Sequence, residues 1–319
     1  MRAQQRALSN PVALWWAMLT LVSLANIVFW FILYRQLNGG SAAASQSSDT
    51  SAMLALSAAY VFGCAFRSVL PRADVQRICL VDSWLSSIFV GRSVATIAEI
   101  AFAAQWAIIL AQLGAIADAE TAVNMARLIV PIIVVAEICS WYAVVTKNFL
   151  YNAIENSLWA VAFLLVGIGL GRLLPEFDGL VRGLLIAGLV GIACYLAFLV
   201  VVDVPMYVKR WRIERAAGTP LLHPLVGLRD SATQWTVTHE FEHWKEEIAW
   251  MSLYFSAAVW GSLALCALSA MNDQLPRAIV PRPRLRRSCS RCRCTEASRQ
   301  ESGRRTTRGD MHRGLLRVC

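Results

Sequence analysis

The chain has 319 residues, of which 57% are hydrophobic and only 16% are charged, and its net charge is +9. A soluble globular domain carries about 25% charged residues, so this composition excludes an ordinary soluble protein and predicts a membrane protein. The charge is not spread evenly. Residues 1–276 hold 17 basic and 18 acidic residues, and the tail from Arg277 onward carries the whole positive excess.

Seven apolar runs follow one another along the chain. A helix needs about 20 residues to cross a bilayer, and each run approaches or exceeds that length. We therefore predict an all-α, polytopic integral membrane protein with about seven transmembrane helices in residues 1–276. The predicted spans are residues 12–34, 51–70, 88–113, 121–146, 149–170, 179–202 and 248–271.

The third, fourth and fifth spans contain ionisable and polar residues. A charged side chain at the centre of a bilayer costs about 2.5–3.5 kcal/mol on insertion scales, so such residues normally face a protein interior or a water-filled cavity. Helices joined by short loops are antiparallel neighbours, which allows these side chains to meet. We predict one intramembrane polar cavity formed by Arg92, Glu99, Glu137, Asn152 and Glu155.

The charges in this predicted cavity are unbalanced, because one arginine faces three glutamates. Arginine stays protonated and can fully neutralise about one buried carboxylate. The remaining carboxylates must bind a proton or a cation, face water, or contact a charged ligand. The alternative is a structural network of ion pairs and hydrogen bonds that moves nothing across the membrane.

A polar segment, residues 203–246, separates the sixth and seventh predicted spans. Its first part contains a basic group that could hold anionic lipid headgroups, although ordinary positive-inside charge explains it equally well. The group consists of Lys209, Arg210, Arg212 and Arg215. We expect no nucleic-acid partner.

The end of the polar segment reads His239-Glu240-Phe241-Glu242-His243, which resembles the His-Glu-x-x-His motif of zinc metallopeptidases over these five residues. The resemblance implies His239 and His243 as zinc ligands on one helix face and Glu240 as general base, and it requires a third ligand that the sequence does not identify. The alternative is an amphipathic helix at the membrane surface with no metal.

The tail, residues 277–319, contains 13 arginines, no lysine and a cluster of Cys289, Cys292 and Cys294. It could be a nucleic-acid or lipid-binding arm or a thiolate metal site, but it lacks the second ligand pair of a structural zinc site. We predict a disordered extension, which could also be non-native.

Basic residues in residues 1–276 favour a cytoplasmic N-terminus by the positive-inside rule. We expect the protein to lie in a bacterial-type plasma (inner) membrane. The predicted seventh span contains no lysine, which argues against a retinal protein. Our first hypothesis is a transporter or proton- or cation-coupled carrier with a cytoplasm-facing cavity and no cofactor. The alternatives are a membrane-embedded metal-dependent enzyme that uses the histidine pair, and a non-catalytic assembly or sensory protein.

Overall fold

The computed structural model describes residues 10–39 and 48–274. Seven of the helices within these ranges are long and apolar enough to cross a membrane, which confirms the predicted helical class. The helices are α1 (Pro11–Asn38), α2 (Ser48–Val69), α3 (Ile88–Ile116), α4 (Glu120–Thr146), α5 (Phe149–Leu173), α6 (Gly179–Phe198, Leu199–Asp203 and Val204–Ala216), α7 (Pro224–Thr233) and α8 (Phe241–Leu253, Tyr254–Ala258 and Val259–Gln274). The predicted tail, residues 277–319, lies outside the described residues.

Local sequence signals set the helix ends. The side chains of Asn10, Ser87 and Asn148 cap the N-termini of α1, α3 and α5 by accepting hydrogen bonds from backbone N–H groups of the first turn. Lys147 ends α4 in the left-handed conformation (φ 55°), and its N–H bonds the carbonyl of Ala143. This two-residue turn makes α4 and α5 antiparallel neighbours.

The helix α3 is central, because it packs against α2, α4, α5 and α8. Its buried face is rich in alanine and glycine, which allow close approach of neighbouring helices. Large apolar side chains cover the outside of the bundle instead; on α1, Leu14 and Leu21 are 66% and 67% exposed. An apolar exterior around a core that contains charges fits a lipid environment better than water.

The last two predicted spans have different bounds in the structure. The sixth span, α6, continues through a π-helical turn at Leu199–Asp203 to Ala216, and the seventh span, α8, begins at Phe241 rather than at Ile248. Hydropathy did not predict these extensions because their sequences are polar. They are helical nonetheless, because packing contributes most of the stability of an amphipathic helix. The predicted polar segment is therefore mostly helical.

The loops at one end of the bundle fold together into a polar cap, which we define as residues 70–87 and 217–240. It contains three two-residue strands, β1 (Arg72–Ala73), β2 (Ile78–Cys79) and β3 (Thr236–Val237), with β1 antiparallel and β3 parallel to β2. The sequence analysis did not predict this sheet. The amide of Asn10 donates to the carbonyl of His239 at 3.3 Å, so α1 begins at the cap end.

Arg77 holds the polar cap to the bundle. Its guanidinium bonds Asp230 of α7 at 3.0 Å and the carbonyl of Val144 of α4 at 2.9 Å. Gly227 of α7 lies against the backbone of Val145 so closely that a Cβ at this position would overlap the Val145 carbonyl. The cap is thus a packed part of the fold.

Candidate functional site

The guanidinium of Arg92 contacts carboxylates from three different helices inside the bundle. One of its terminal nitrogens lies 2.5 Å from Glu99 of α3 and 2.5 Å from Glu137 of α4, and the other lies 3.8 Å from Glu155 of α5. All four side chains are buried. Arg92 and Glu99 are seven residues apart, about two helical turns, and therefore share a face of α3.

Neutral side chains hold the carboxylates in place. The Thr96 hydroxyl donates to Glu137 at 2.7 Å and accepts from the indole N–H of Trp141 at 3.0 Å. The amide of Asn152 donates to Glu155 at 3.1 Å. The structure thus brings together all five residues of the predicted intramembrane cavity.

Three further residues join this group, and sequence reasoning missed them. Arg67 near the end of α2 lies 3.7 Å from Glu99 and 3.8 Å from Asp74 of the polar cap. The hydroxyl of Tyr254 on α8 donates to Glu99 at 3.1 Å. Arg67 is only 5% exposed, although its position at the end of an apolar run is typical of a charge at the membrane surface.

We call the charged residues of this group the carboxylate cluster. They are Arg67, Asp74, Arg92, Glu99, Glu137 and Glu155. Its four carboxylates face two guanidinium groups, so a fully ionised cluster has a net charge of −2. An unpaired buried charge costs several kcal/mol, and carboxylates in such a place bind protons or cations instead. The cluster therefore has the capacity for about two more positive charges.

A metal ion is one way to supply positive charge, because Glu99, Glu137 and Glu155 each offer an oxygen within 4.8 Å of the others. The guanidinium of Arg92, however, is within 4 Å of all three carboxylates. A divalent ion bound to these oxygens would have to displace Arg92 or lie against its positive charge. The donor set therefore suits protons better than a divalent metal.

A cavity of about 690 Å³ adjoins the carboxylate cluster. It runs between α3, α5, α6 and α8, and it is charged toward the polar cap and apolar further along these helices. Its polar walls include Arg67, Asp74, Arg92, Glu99, Asn152 and Glu155. Its apolar walls include Phe102, Trp159, Phe163, Leu184, Ile192 and Leu268.

Arg72 also lines the cavity, but backbone carbonyls occupy its guanidinium. It donates to the carbonyls of Leu70, Leu85 and Ser87 at 2.9–3.2 Å. Burial lowers the pKa of Arg72 to about 10, so the side chain remains charged at neutral pH. Gly91 permits this arrangement, since a Cβ there would overlap the guanidinium.

Two more carboxylates line the cavity near the polar cap. Asp203, in the π-helical turn of α6, accepts a hydrogen bond from the amide of Asn156 at 2.6 Å. Glu247 of α8 accepts from Trp250 at 2.6 Å and from Gln76 at 3.0 Å. Both carboxylates are buried, and they add to the acidic groups that line the cavity.

The structure does not place the histidine pair on one helix, as the zinc motif would require. The helix α8 begins at Phe241, so His239 and Glu240 precede it and cannot share a helix face with His243. The ring nitrogen Nδ1 of His243 contacts the Thr238 hydroxyl at 3.0 Å and lies 3.6 Å from the carboxylate of Glu240. Among the described residues, the group able to hold a metal consists of the three glutamates and includes neither histidine.

The four basic residues at the end of α6 have two different environments. Arg210 forms ion pairs with Glu246 and Glu247 of α8. The other three side chains are exposed: Lys209, Arg212 and Arg215. Arg210 is therefore a structural link between α6 and α8, and only the other three have the exposure that a headgroup site requires.

Comparisons with protein-family models, with curated proteins and with solved structures found no match for this chain.

Proposed function

We propose that this chain is an integral membrane transporter, or proton- or cation-coupled carrier, that moves protons or another cation across the bilayer. The observation that carries the proposal is the carboxylate cluster, whose acidic groups outnumber its arginines and adjoin a cavity large enough for a small molecule. Ionisable residues inside a membrane bundle commonly mark ion or substrate pathways. Glu99, Glu137 and Glu155 are the proposed exchangeable carboxylates, and Arg92 is their fixed counter-ion.

The proposed orientation places the polar cap in the cytoplasm. The N-terminus of α1 and the loops that follow α2, α4 and α6 all lie at the cap end. Most of the basic residues in residues 1–276 lie in these loops or near the helix ends beside them, and cytoplasmic loops are enriched in lysine and arginine. In this orientation the charged end of the cavity faces the cytoplasm of a plasma (inner) membrane, and Lys209, Arg212 and Arg215 lie where anionic headgroups are concentrated.

The proposal predicts proton flux through the purified protein in liposomes. A potassium diffusion potential drives protons inward, and an internal pH-sensitive dye reports their entry. We expect flux above that of protein-free liposomes, and we expect Glu155→Gln and Glu99→Gln each to abolish it because a neutral amide cannot exchange a proton. Repeating the measurement with a sodium gradient distinguishes a sodium carrier from a proton carrier.

The matched control is Glu120→Gln, because Glu120 is an exposed residue at the start of α4, away from the cavity. Its flux should equal that of the unchanged protein. Flux at the level of protein-free liposomes, or flux that both cavity variants leave unaltered, would contradict the proposal. The carboxylate cluster would then have a structural role, as expected of an assembly or sensory protein.

A further inference from the structure

The charges that line the cavity favour a positively charged ligand. Within the described residues, three arginines and five carboxylates line it, which gives a net charge of −2 when all are ionised. The arginines are Arg67, Arg72 and Arg92, and the carboxylates are Asp74, Glu99, Glu155, Asp203 and Glu247. A cavity with excess negative charge and low-dielectric walls attracts cations and repels anions.

The terminal guanidinium nitrogens of the three arginines already face acceptors, and only the buried Nε of each lacks a partner among the described residues, which further disfavours an anionic ligand. Arg72 donates to three backbone carbonyls, Arg92 contacts three glutamates, and Arg67 lies between Glu99 and Asp74. An anion would have to compete with these partners for each guanidinium. A cation, by contrast, can pair with the carboxylates, because they outnumber the arginines in the cavity wall.

Two buried acceptor atoms in this group of side chains lack hydrogen-bond partners, and one of them belongs to a residue that lines the cavity. The side-chain oxygen of Asn152 and one carboxylate oxygen of Glu137 are buried and have no hydrogen-bond partner among the described residues. Asn152 is 8% exposed and lines the cavity, and its amide nitrogen is already used by Glu155. A buried acceptor normally has a partner, and a cationic or hydrogen-bond-donating ligand would supply one here.

The rest of the cavity wall is aromatic and apolar. Trp159 and Tyr195 both contact Phe163, with ring centroids 5.8 and 5.0 Å apart, and all three line the cavity beyond the carboxylates. Aromatic faces attract cations, and the adjoining apolar walls accept hydrocarbon. A cavity of about 690 Å³ lies in the range that holds drug-sized molecules.

We propose that the ligand of this cavity is a lipophilic organic cation, with its charge at Glu155 and Glu99 and its apolar body against the aromatic walls. The exchange of this cation for protons rests on the proposed carrier function. The polar and titratable groups around the two glutamates set how strongly they hold a proton or a cation. They include Tyr60, Cys64, Arg67, Asp74, Arg92, Glu137, Cys139, Ser140, Asn152, Tyr195, Tyr207 and Tyr254.

The test uses tetraphenylphosphonium as the probe and tetraphenylborate, an anion of the same shape, as the matched control. Calorimetry on the purified full chain in nanodiscs, with empty nanodiscs subtracted, measures binding. We expect saturable binding of the phosphonium and none of the borate. If one proton is displaced, affinity falls about tenfold for each pH unit of acidification, and binding releases a proton into weakly buffered solution.

Variants locate the binding site. Glu155→Gln should weaken phosphonium binding by about tenfold or more, because removing one partner of a buried charge pair has a large effect on binding, and Glu120→Gln should leave it unchanged. Binding of both probes alike, or phosphonium binding that Glu155→Gln leaves unaltered, would overturn the inference. The comparison of the two probes uses the unchanged protein, so it does not depend on whether a variant folds.

The two proposals can fail separately. Proton flux that depends on Glu155, without preference for the phosphonium over the borate, overturns the cation inference and leaves the carrier function standing. Phosphonium binding that depends on Glu155, without proton release or flux, leaves a cation site and overturns the coupled carrier.

Discussion

Replacing Arg92 with methionine should destabilise the folded protein by about 3–5 kcal/mol, the range observed when one partner of a buried ion pair is removed. Arg92 is 6% exposed and contacts Glu99, Glu137 and Glu155. Methionine is unbranched like the arginine stem but shorter, and it carries no charge, so the change leaves three buried carboxylates with Arg67 as the cation in contact with Glu99. Unfolding in mixed detergent micelles, followed by circular dichroism, measures the loss.

The same variant should regain stability on acidification. Its folded state then takes up protons that remove the unpaired negative charges, whereas the unfolded chain at the same pH still binds fewer protons, so the free energy of unfolding rises as the pH falls. Adding Glu137→Gln to Arg92→Met should also recover part of the loss, because one buried charge is gone. The two changes would then be coupled rather than additive.

Arg182→Met is the matched control for Arg92→Met. Arg182 is about half exposed, and its ion pair with Asp178 at 3.8 Å is a surface pair within α6 and its N-cap. Such pairs contribute about 0–1 kcal/mol. Equal losses for Arg92→Met and Arg182→Met, or a loss at Arg92 that does not change with pH, would show that the carboxylate cluster is not charged as we describe.

Trp244→Ala should cost about 3–5 kcal/mol, as expected for truncating a fully buried aromatic side chain. Trp244 is 0% exposed and packs against Trp15 of α1, with ring centroids 5.7 Å apart. Its indole N–H donates to the carbonyl of Thr238 at 3.0 Å. The substitution therefore leaves a void where α1, α8 and the polar cap meet, and detergent unfolding measures the cost.

Trp84→Ala is the control for Trp244→Ala, because Trp84 is 63% exposed and should change stability by no more than about 0.5 kcal/mol. A small effect at Trp244 would contradict the packing of α8 against α1. The result also bears on the histidine motif, His239–His243, which lies next to Trp244. A large loss of stability in protein without bound zinc would show that the start of α8 stabilises the fold.

Hydrophobic run length was sufficient to predict the seven apolar helices, because a bilayer imposes a minimum length that few soluble helices meet. The placement of Arg92 and Glu99 on one face of α3 could also be predicted from the sequence, since two residues seven apart share a helix face. The meeting of α3, α4 and α5 followed from short loops such as the Lys147–Asn148 turn. These inferences depend on local geometry alone.

Contacts between distant parts of the chain were not accessible from the sequence. Tyr254 is 155 residues from Glu99, and nothing in the composition of α8 indicates that its hydroxyl reaches the carboxylate cluster. Arg67 and Asp74 belong to a helix end and a loop, where charges are ordinary. The sheet of the polar cap pairs residues near position 78 with residues near position 236, and strands of two residues leave no periodic signal.

Infrared difference spectroscopy of the purified protein, between mildly acidic and mildly alkaline pH, is the most direct test of whether the carboxylate cluster holds exchangeable protons. Protonated carboxyl groups have a carbonyl stretch that carboxylates lack. We expect this band to be present at acidic pH, to disappear as the pH rises, and to be smaller in Glu155→Gln and Glu99→Gln. Identical difference spectra for the unchanged protein and both variants would contradict the account, because the cluster would then be a fixed network of ion pairs.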